Sequence, residues 1–304
     1  MAPATWLWIP ITVWAAFAQT LRNAAQRQLT AELGTLGATL VRFLYGLPFA
    51  AAWLWAVQGF GGYALPVPAR GFALWVLVAG ASQIVATALL LRVMAERNFA
   101  LGIAYSKTEI IQVALFALAF LGDRLGPLTA LAIACGTLGV LLLAPADRAR
   151  PLRSLLAGWT SKSALLGLGS GAGFALAAVG YRGAALALHA EFLMAGAYTL
   201  ATAQLVQTLM LGGWLAARDP NALGRVLRAW RASLFAGFMG AAASAGWFTA
   251  MALEPVAHVR TLGLIELLFA LVVSRRVFRE RLGRLELAGI GLLSLGLAIV
   301  TLAR

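Results

Sequence analysis

The chain has almost none of the residues from which disulfides and most protein metal sites are made. Cys135 is its single cysteine among 304 residues, and the two histidines, His189 and His258, lie far apart in the sequence. One cysteine excludes an internal disulfide and a cysteine-ligated metal centre. The sequence also contains no HExxH pair and no glycine-rich phosphate loop followed by Lys and Ser or Thr. It therefore predicts neither an enzyme nor a bound metal or cofactor.

Charged residues are also scarce. Asp, Glu, Lys and Arg make up 12% of the chain, whereas 62% of the residues are hydrophobic and the mean hydropathy is +0.86. This leaves too little charge to cover the surface of a soluble domain. A helix that crosses roughly 30 Å of hydrocarbon needs about 20 residues, so the chain accommodates about ten spans with short connections. We therefore expect an all-α integral membrane protein with ten transmembrane helices.

Apolar runs that are broken by charge, proline or glycine define the approximate spans. The predicted spans are residues 5–25, 34–57, 71–91, 99–121, 126–144, 163–186, 190–215, 231–252, 256–275 and 283–303. The N-terminus lacks the basic segment that precedes the apolar core of a cleavable signal peptide. The first run is therefore expected to stay in the protein as a span.

The two halves of the chain repeat a pattern. One shift along the sequence carries Glu109 onto Glu266, Arg124-Leu125-Gly126 onto Arg281-Leu282-Gly283, and Gly139 onto Gly296. Because five is an odd number of spans, a second copy must enter the membrane from the opposite side, as in the inverted repeats of many secondary transporters. We predict two inverted five-helix repeats, residues 1–145 and 163–304, joined by a basic linker at 146–162.

The chain carries a formal net charge of +13, from 24 basic and 11 acidic residues. Most basic residues fall in the connections after spans one, three, five, seven and nine, and the opposite side of the membrane has little beyond Arg70, Arg124 and Arg182, the last of them near the end of span six. The positive-inside bias then predicts that the basic set is cytoplasmic and that both termini are external. Membrane orientation explains the excess charge, so no nucleic-acid partner is expected.

Charged side chains within the spans are the first candidates for function, because each costs roughly 2.5–3.5 kcal/mol in hydrocarbon unless it finds a partner or water. Glu109 and Glu266 lie near the centres of the fourth and ninth spans, and Lys107 is close to Glu109. Arg42 lies in the second span and is a plausible partner for Glu109. On one continuous helix Lys107 and Glu109 would be about 200° apart, so we expect only one of them to face a given cavity.

Polar side chains on several spans predict an aqueous pocket. Gln19, Arg22, Asn23 and Gln26 share one face of the first span through their i, i+3, i+4 and i+7 spacing. The predicted substrate-binding residues are Gln19, Asn23, Arg42, Tyr45, Lys107, Gln112, Tyr198, Gln204, His258 and Arg260. Glu109 and Glu266 are predicted to bind protons or to compensate charge, because burial favours the neutral form of a carboxyl group. On the alternative interpretation, the acids pair with basic neighbours and the amides hold helices together.

The span-embedded charges comprise Arg22, Arg42, Lys107, Arg182 and Arg260 against Glu109 and Glu266. If they converge, this surplus of basic residues favours an organic anion, or a zwitterion whose carboxylate meets a fork of arginine donors. Arg22, Arg182 and Arg260 lie nearer the span ends, where they can equally snorkel to the interface. These three residues keep a second hypothesis open, a flippase for a lipid or lipid-linked substrate.

In each predicted unit the fourth helix ends in a short charged motif before a glycine-spaced fifth helix. The motifs are Gly122-Asp123-Arg124-Leu125 and Arg279-Glu280-Arg281-Leu282. With the five-plus-five arrangement, the whole chain resembles the EamA-like branch of the drug/metabolite transporter superfamily. The resemblance implies a multi-pass secondary transporter of the bacterial inner membrane, often an exporter of amino acids or related metabolites, that works by alternating access around a central cavity. The expected partners are a small-molecule substrate and membrane lipid, and the sequence is compatible with a monomer or a homodimer.

Overall fold

The computed structural model describes residues 6–96, 106–107, 109–122, 126–143 and 162–269, with residues 272, 288–289, 291–292, 294–296 and 298–299. The helices in chain order are α1 Trp8–Leu44, α2 Leu47–Gly61, α3 Phe72–Glu96, α4 Glu109–Leu121, α5 Pro127–Leu143, α6 Lys162–Leu186, α7 Phe192–Arg218, α8 Pro220–Arg228, α9 Trp230–Leu253 and α10 Val256–Leu262. Residues 265–269 are again helical after a turn at Gly263 and Leu264. Within these described ranges there is no strand, as expected for an all-α protein.

Several helices have the length and composition of membrane spans. Four segments qualify among the described residues: Trp8–Gly61, Phe72–Met94, Phe192–Arg218 and Trp230–Leu253. The first has 54 residues, which is enough for two crossings. Large apolar side chains point outward from these helices, including Trp55, Phe60 and Leu209. The described helices therefore fit an all-α membrane protein.

The observed helices follow the predicted spans closely, with two informative differences. The short helix α8 was not predicted as a span; it lies in a connection, where Asp219 caps it by accepting a 2.9 Å hydrogen bond from the backbone N–H of Ala222. The predicted ninth span is interrupted, because α10 ends at Leu262 and the chain turns before it becomes helical again. Residues 97–105 of the region around the fourth span and most of the tenth span, 283–303, lie outside the described residues.

Helix α1 consists of two arms that fold against each other at Gly34. Gly34 has φ 72° and ψ 171°, a left-handed φ that glycine adopts without the steric cost paid by other residues. The side-chain amide of Gln26 donates a 2.8 Å hydrogen bond to the carbonyl of Ala38. In a straight helix these residues would be about 18 Å apart. The arms therefore lie side by side, which matches the predicted break between the first two spans.

The two most extensive helix pairings are α1 with α9 and α3 with α6. Glycines allow the backbones to approach closely in both seams. A Cβ on Gly246 of α9 would lie 2.8 Å from the Cβ of Ala15 in α1. On α6, a Cβ on Gly173 would lie 2.9 Å from the Cβ of Ala86 in α3. The small residues of the sequence thus bring helices from the two halves of the chain together.

A glycine in α9 supports a sharp stability prediction. A Cβ on Gly237 would lie 2.5 Å from the backbone carbonyl carbon of Tyr45, a position that cannot move without shifting the junction between α1 and α2. We expect Gly237→Ala to destabilise the protein by roughly 1–3 kcal/mol, the usual cost of overpacking. The thermal unfolding of the detergent-purified protein measures this loss.

The matched control is Gly213→Ala, because Gly213 is also helical but has no atom within 4 Å of its would-be Cβ. That change should be neutral or stabilising by up to about 1 kcal/mol, since alanine is the better helix former. Equal unfolding temperatures for the two variants would contradict the close contact at Gly237.

Candidate functional site

A cavity lies among α1, α3, α6 and α9, near the starts of α4 and of the helical turn at residues 265–269. Its interatomic space amounts to about 520 Å³, open space at its mouth included. The charged residues that line it are Arg22, Arg42, Lys107, Glu109, Arg260 and Glu266. All six are at least nine-tenths buried. The cavity therefore gathers charges from both halves of the chain in the interior of the helix bundle.

The carboxylate of Glu266 is the centre of the polar network in this cavity. The ammonium of Lys107 lies 2.5 Å from its Oε2. The amide of Gln19 donates to Oε2 at 2.7 Å and the amide of Asn23 donates to Oε1 at 2.9 Å. One ion pair and two amide hydrogen bonds satisfy this buried acid, and they join residues from both halves. Gln19 and Asn23, predicted from the face of the first span, therefore both line the cavity.

Glu109 has a looser environment. Its Oε1 lies 3.6 Å from a guanidinium nitrogen of Arg260, and among the described residues no side chain donates a hydrogen bond to it. The sequence-based pairing of Glu109 with Arg42 is therefore wrong. Arg42 instead donates a 3.3 Å hydrogen bond to the hydroxyl of Thr87 on α3. The guanidinium of Arg260 also lies over the ring of Trp247, whose centroid is 4.8 Å from its central carbon.

The expectation that Lys107 and Glu109 cannot share one cavity is also wrong. Both residues line it. The expectation assumed a continuous helix, but Lys107 lies in a turn and α4 begins only at Glu109. Because the angular spacing of 100° per residue applies only within a helix, the turn redirects the lysine toward Glu266.

Arg22 and Arg42 line the cavity without an ion-pair partner in the described part of the chain. Arg22 uses one terminal nitrogen to donate a 2.7 Å hydrogen bond to the side-chain oxygen of Asn23. Its Nε and Nη1 and the Nε of Arg42 are buried and have no hydrogen-bond acceptor among the described residues. Unpaired guanidinium donors in a buried site are costly, which makes them ready to bind an anionic group.

Aromatic side chains form much of the remaining wall, and none of them is among the predicted binding residues. Tyr181 and Phe248 pack with ring centroids 4.4 Å apart, and the hydroxyl of Tyr181 donates to Gln83 at 3.1 Å. Trp247 donates its indole N–H to the side-chain oxygen of Gln19 at 2.9 Å. Aromatic residues are common in apolar spans, so no feature of the sequence separates these from lipid-facing ones.

Five predicted binding residues do not line the cavity: Tyr45, Gln112, Tyr198, Gln204 and His258. Each has other surroundings. The hydroxyl of Tyr45 donates to the carbonyl of Val226 at 2.9 Å. The ring of Tyr198 packs on Phe72, with centroids 5.7 Å apart. Both contacts join segments that are far apart in the chain.

The other three residues are also placed away from the cavity. His258 lies between the hydroxyl of Thr129, 2.8 Å from Nε2, and the carboxylate of Glu254, 2.6 Å from Nδ1. Gln204 is buried beside Gly46, with its side-chain nitrogen 2.9 Å from the would-be Cβ of that glycine. Gln112 is half-buried on α4. Arg182 was counted among the span-embedded charges. It donates instead to the backbone carbonyls of Met251 and Glu254, each at 2.7 Å.

Comparisons with known proteins agree with this architecture. The sequence profile of the EamA-like transporter family matches residues 161–302. A solved structure, titled only as the crystal structure of a protein, superimposes on 99% of this chain and 97% of its own chain, with a TM-score of 0.70 and 15% sequence identity. It is one of 26 chains of solved structures that match, and at this identity it shows the fold alone. No curated protein matches the sequence. Residues 161–302 thus match the EamA-like transporter family, a family of membrane transporters in the drug/metabolite transporter superfamily.

Proposed function

We propose that this transporter is an alternating-access carrier of a small organic anion, resident in the bacterial inner membrane, and that the anion binds Arg22 and Arg42 in the central cavity. The observation that carries the proposal is the buried position of these two guanidinium groups, with open donors and no ion-pair partner among the described residues. Guanidinium groups match the geometry of carboxylate and phosphate oxygens better than other side chains do. By the family resemblance, we propose export as the direction.

We also propose that the halves are inverted repeats, residues 1–145 and 163–304 with a linker at 146–162. The shift that carries Glu109 onto Glu266 also carries α1 onto α6 and α3 onto α9. The dominant pairings, α1 with α9 and α3 with α6, are therefore reciprocal. In each of them, the first span of one unit packs on the third span of the other. Reciprocal pairing is what a two-fold axis between the units would produce.

A second correspondence supports the repeat. Lys107 lies in a turn just before Glu109, and the turn at Gly263 and Leu264 lies just before Glu266. Each acid thus lies in the first turn of a helical segment, after a break in its unit's fourth span. Negative charge is stabilised at a helix N-terminus, and discontinuous helices that meet near the bilayer midplane are typical of secondary transporters.

The two acids have different environments, and we propose different roles for them. Three donors, from Gln19, Asn23 and Lys107, bind the carboxylate of Glu266, which suits charge compensation. Glu109 has one cation at 3.6 Å and no hydrogen-bond donor in the described ranges. It therefore has the fewer contacts of the two acids, and we propose it as the proton-coupling site.

The geometry favours a soluble anion over the lipid substrate of the flippase hypothesis. That hypothesis depended on Arg22, Arg182 and Arg260 reaching the membrane interface. Arg22 is 2% and Arg260 8% exposed, and both line the cavity. Arg182 donates to backbone carbonyls. None of the three is therefore arranged as a headgroup-binding residue at the lipid interface.

The proposal is tested by a thermal-shift screen of the detergent-purified protein with small metabolites grouped as anions, zwitterions, neutral molecules and cations. Small organic anions should stabilise the wild type, because binding to the folded state alone raises the unfolding temperature. In Arg42→Gln the apparent affinity should fall about tenfold or more, since a hydrogen bond to a charged group contributes about 1.5–3 kcal/mol.

Arg218→Gln is the matched control, because Arg218 is exposed at the end of α7 and should leave anion binding unchanged. Stabilisation by cations rather than anions, or equal affinity in Arg42→Gln and the wild type, would contradict the proposed site.

A further inference from the structure

The charges that line the cavity do not balance. Among the described lining residues there are four cations, Arg22, Arg42, Lys107 and Arg260, and two anions, Glu109 and Glu266. Lys107 pairs with Glu266 and Arg260 with Glu109. Arg22 and Arg42 are left, so the described site carries two positive charges that no protein carboxylate neutralises.

This surplus does not depend on how the acids titrate. Arginine keeps its proton in proteins, and a carboxyl group carries at most one negative charge. If a proton binds Glu109 or Glu266, a negative charge disappears and the surplus grows. Two positive charges are therefore the smallest excess that these six residues can have while the Lys107–Glu266 pair is intact.

The two unpaired arginines are also neighbours. A Cβ on Gly240 of α9 would lie 3.3 Å from Cγ of Arg42 and 3.4 Å from Cδ of Arg22, so both side chains run past the same point on this helix. The unsatisfied nitrogens are Nε and Nη1 on Arg22 and Nε on Arg42. One small ligand can therefore meet both side chains. Their mutual repulsion in a site with little water makes a single negative charge an incomplete match.

We propose that the transported substrate is a dianion, a small molecule with two negative charges on oxygen atoms, such as a dicarboxylate or a phosphate monoester. This inference rests on the proposed function and adds the charge of its substrate. A dianion neutralises the arginine pair, whereas a monoanion leaves one buried positive charge and a zwitterion such as an amino acid leaves two. The absence of a side chain at Gly240 lets both arginines reach the ligand.

The test compares ligands that differ in charge and little else. The probes are succinate with its monomethyl ester, and methyl phosphate with dimethyl phosphate, titrated into the full-length detergent-purified protein at pH 8 by calorimetry. At this pH succinate and methyl phosphate are mainly dianions and their partners are monoanions. At least one dianion should bind about tenfold or more tightly than its monoanionic partner. A preference confined to one pair identifies a dicarboxylate or a phosphate monoester as the chemical class.

In Arg22→Gln the ratio of dianion affinity to monoanion affinity should fall to between about one and three, because that variant leaves a single surplus positive charge. Arg42→Gln is the second variant. The only described hydrogen bond of Arg42 is to Thr87, so loss of Arg42 should disturb the network around Glu266 less than loss of Arg22 does. Arg218→Gln should keep the wild-type preference. Equal affinity for each dianion and its monoanionic partner would overturn the dianion inference and leave the anion carrier standing. Binding of none of the four probes, with anions in the wider screen also inactive, would overturn the proposed function itself.

Discussion

Lys107→Met is expected to cost about 3–5 kcal/mol of stability, because it removes one partner of a buried ion pair and leaves a charged one behind. The ammonium of Lys107 lies 2.5 Å from the carboxylate of Glu266. Glu266 is only 1% exposed. Gln19 and Asn23 would still donate to that carboxylate, but amides do not neutralise its charge. Since Lys107 and Glu266 belong to different halves of the chain, the loss should also weaken the contact between the halves.

A double-mutant cycle separates the ion pair from the surrounding contacts. Glu266→Gln should destabilise the protein on its own, and the double variant should lose less stability than the two single losses together, with a coupling of about 1–3 kcal/mol. Unfolding by SDS in mixed micelles, followed by tryptophan fluorescence, measures the change in the free energy of unfolding for the two single variants and the double variant. The exposed Arg231→Gln variant serves as the control. Additive losses would show that the two side chains do not interact in the folded protein.

Glu109→Gln should abolish uptake driven by a pH gradient, the second large effect. A glutamine cannot take up a proton, so the transporter would lose the group whose protonation is proposed to report which side of the membrane is open. In proteoliposomes we expect accumulation of the substrate anion to fall at least about tenfold, while exchange of anion across the membrane without a pH gradient continues.

The control for this experiment is Glu32→Gln, which removes an exposed carboxylate of α1. It should leave accumulation unchanged. Normal accumulation in Glu109→Gln, at the expression level of the wild type, would assign Glu109 a structural role beside Arg260 and would leave the coupling group to be found elsewhere.

Much of the architecture could be predicted because hydropathy and helix length are properties of a single segment. The predicted span 163–186 corresponds to α6 at Lys162–Leu186, and the predicted break near Gly34 is where α1 folds back. The acids Glu109 and Glu266 could be identified in the same way, because each one stands out within a single apolar segment. A carboxylate in an apolar run is unfavourable unless something satisfies it, so the sequence alone pointed to Glu109 and Glu266 as buried, partnered residues.

The partners of these residues could not be predicted, because they depend on contacts between segments far apart in the chain. A helical face identifies Gln19 and Asn23 as neighbours but does not show whether that face meets a cavity or another helix. Gln204 shows the opposite outcome, since it is buried beside Gly46 away from the cavity. The expectation that Lys107 and Glu109 face different ways failed for another reason, because a turn of the chain breaks the helical periodicity on which it relied.

The aromatic wall was missed, and Arg22 was left between a cavity and the membrane interface, for a third reason. Tyr181, Trp247 and Phe248 do not stand out in a chain with 10% aromatic residues. Arg22 was placed near a span end, where snorkelling to the interface was an equal alternative, but the first arm of α1 extends to residue 33 and places Arg22 well inside. A prediction of span length that is too short by two turns is therefore enough to change the interpretation of a charged residue.

The central claim is that an anion crosses the membrane by binding Arg22 and Arg42 in the cavity. Its most direct test is uptake of radiolabelled anion, with succinate and methyl phosphate as first probes, by proteoliposomes that contain the wild type, Arg42→Gln or Arg218→Gln. The account predicts uptake well above that of protein-free liposomes in the wild type and in Arg218→Gln, and a loss of at least about tenfold in Arg42→Gln. Equal uptake by all three proteins, or transport by Arg42→Gln at the wild-type rate, would contradict it.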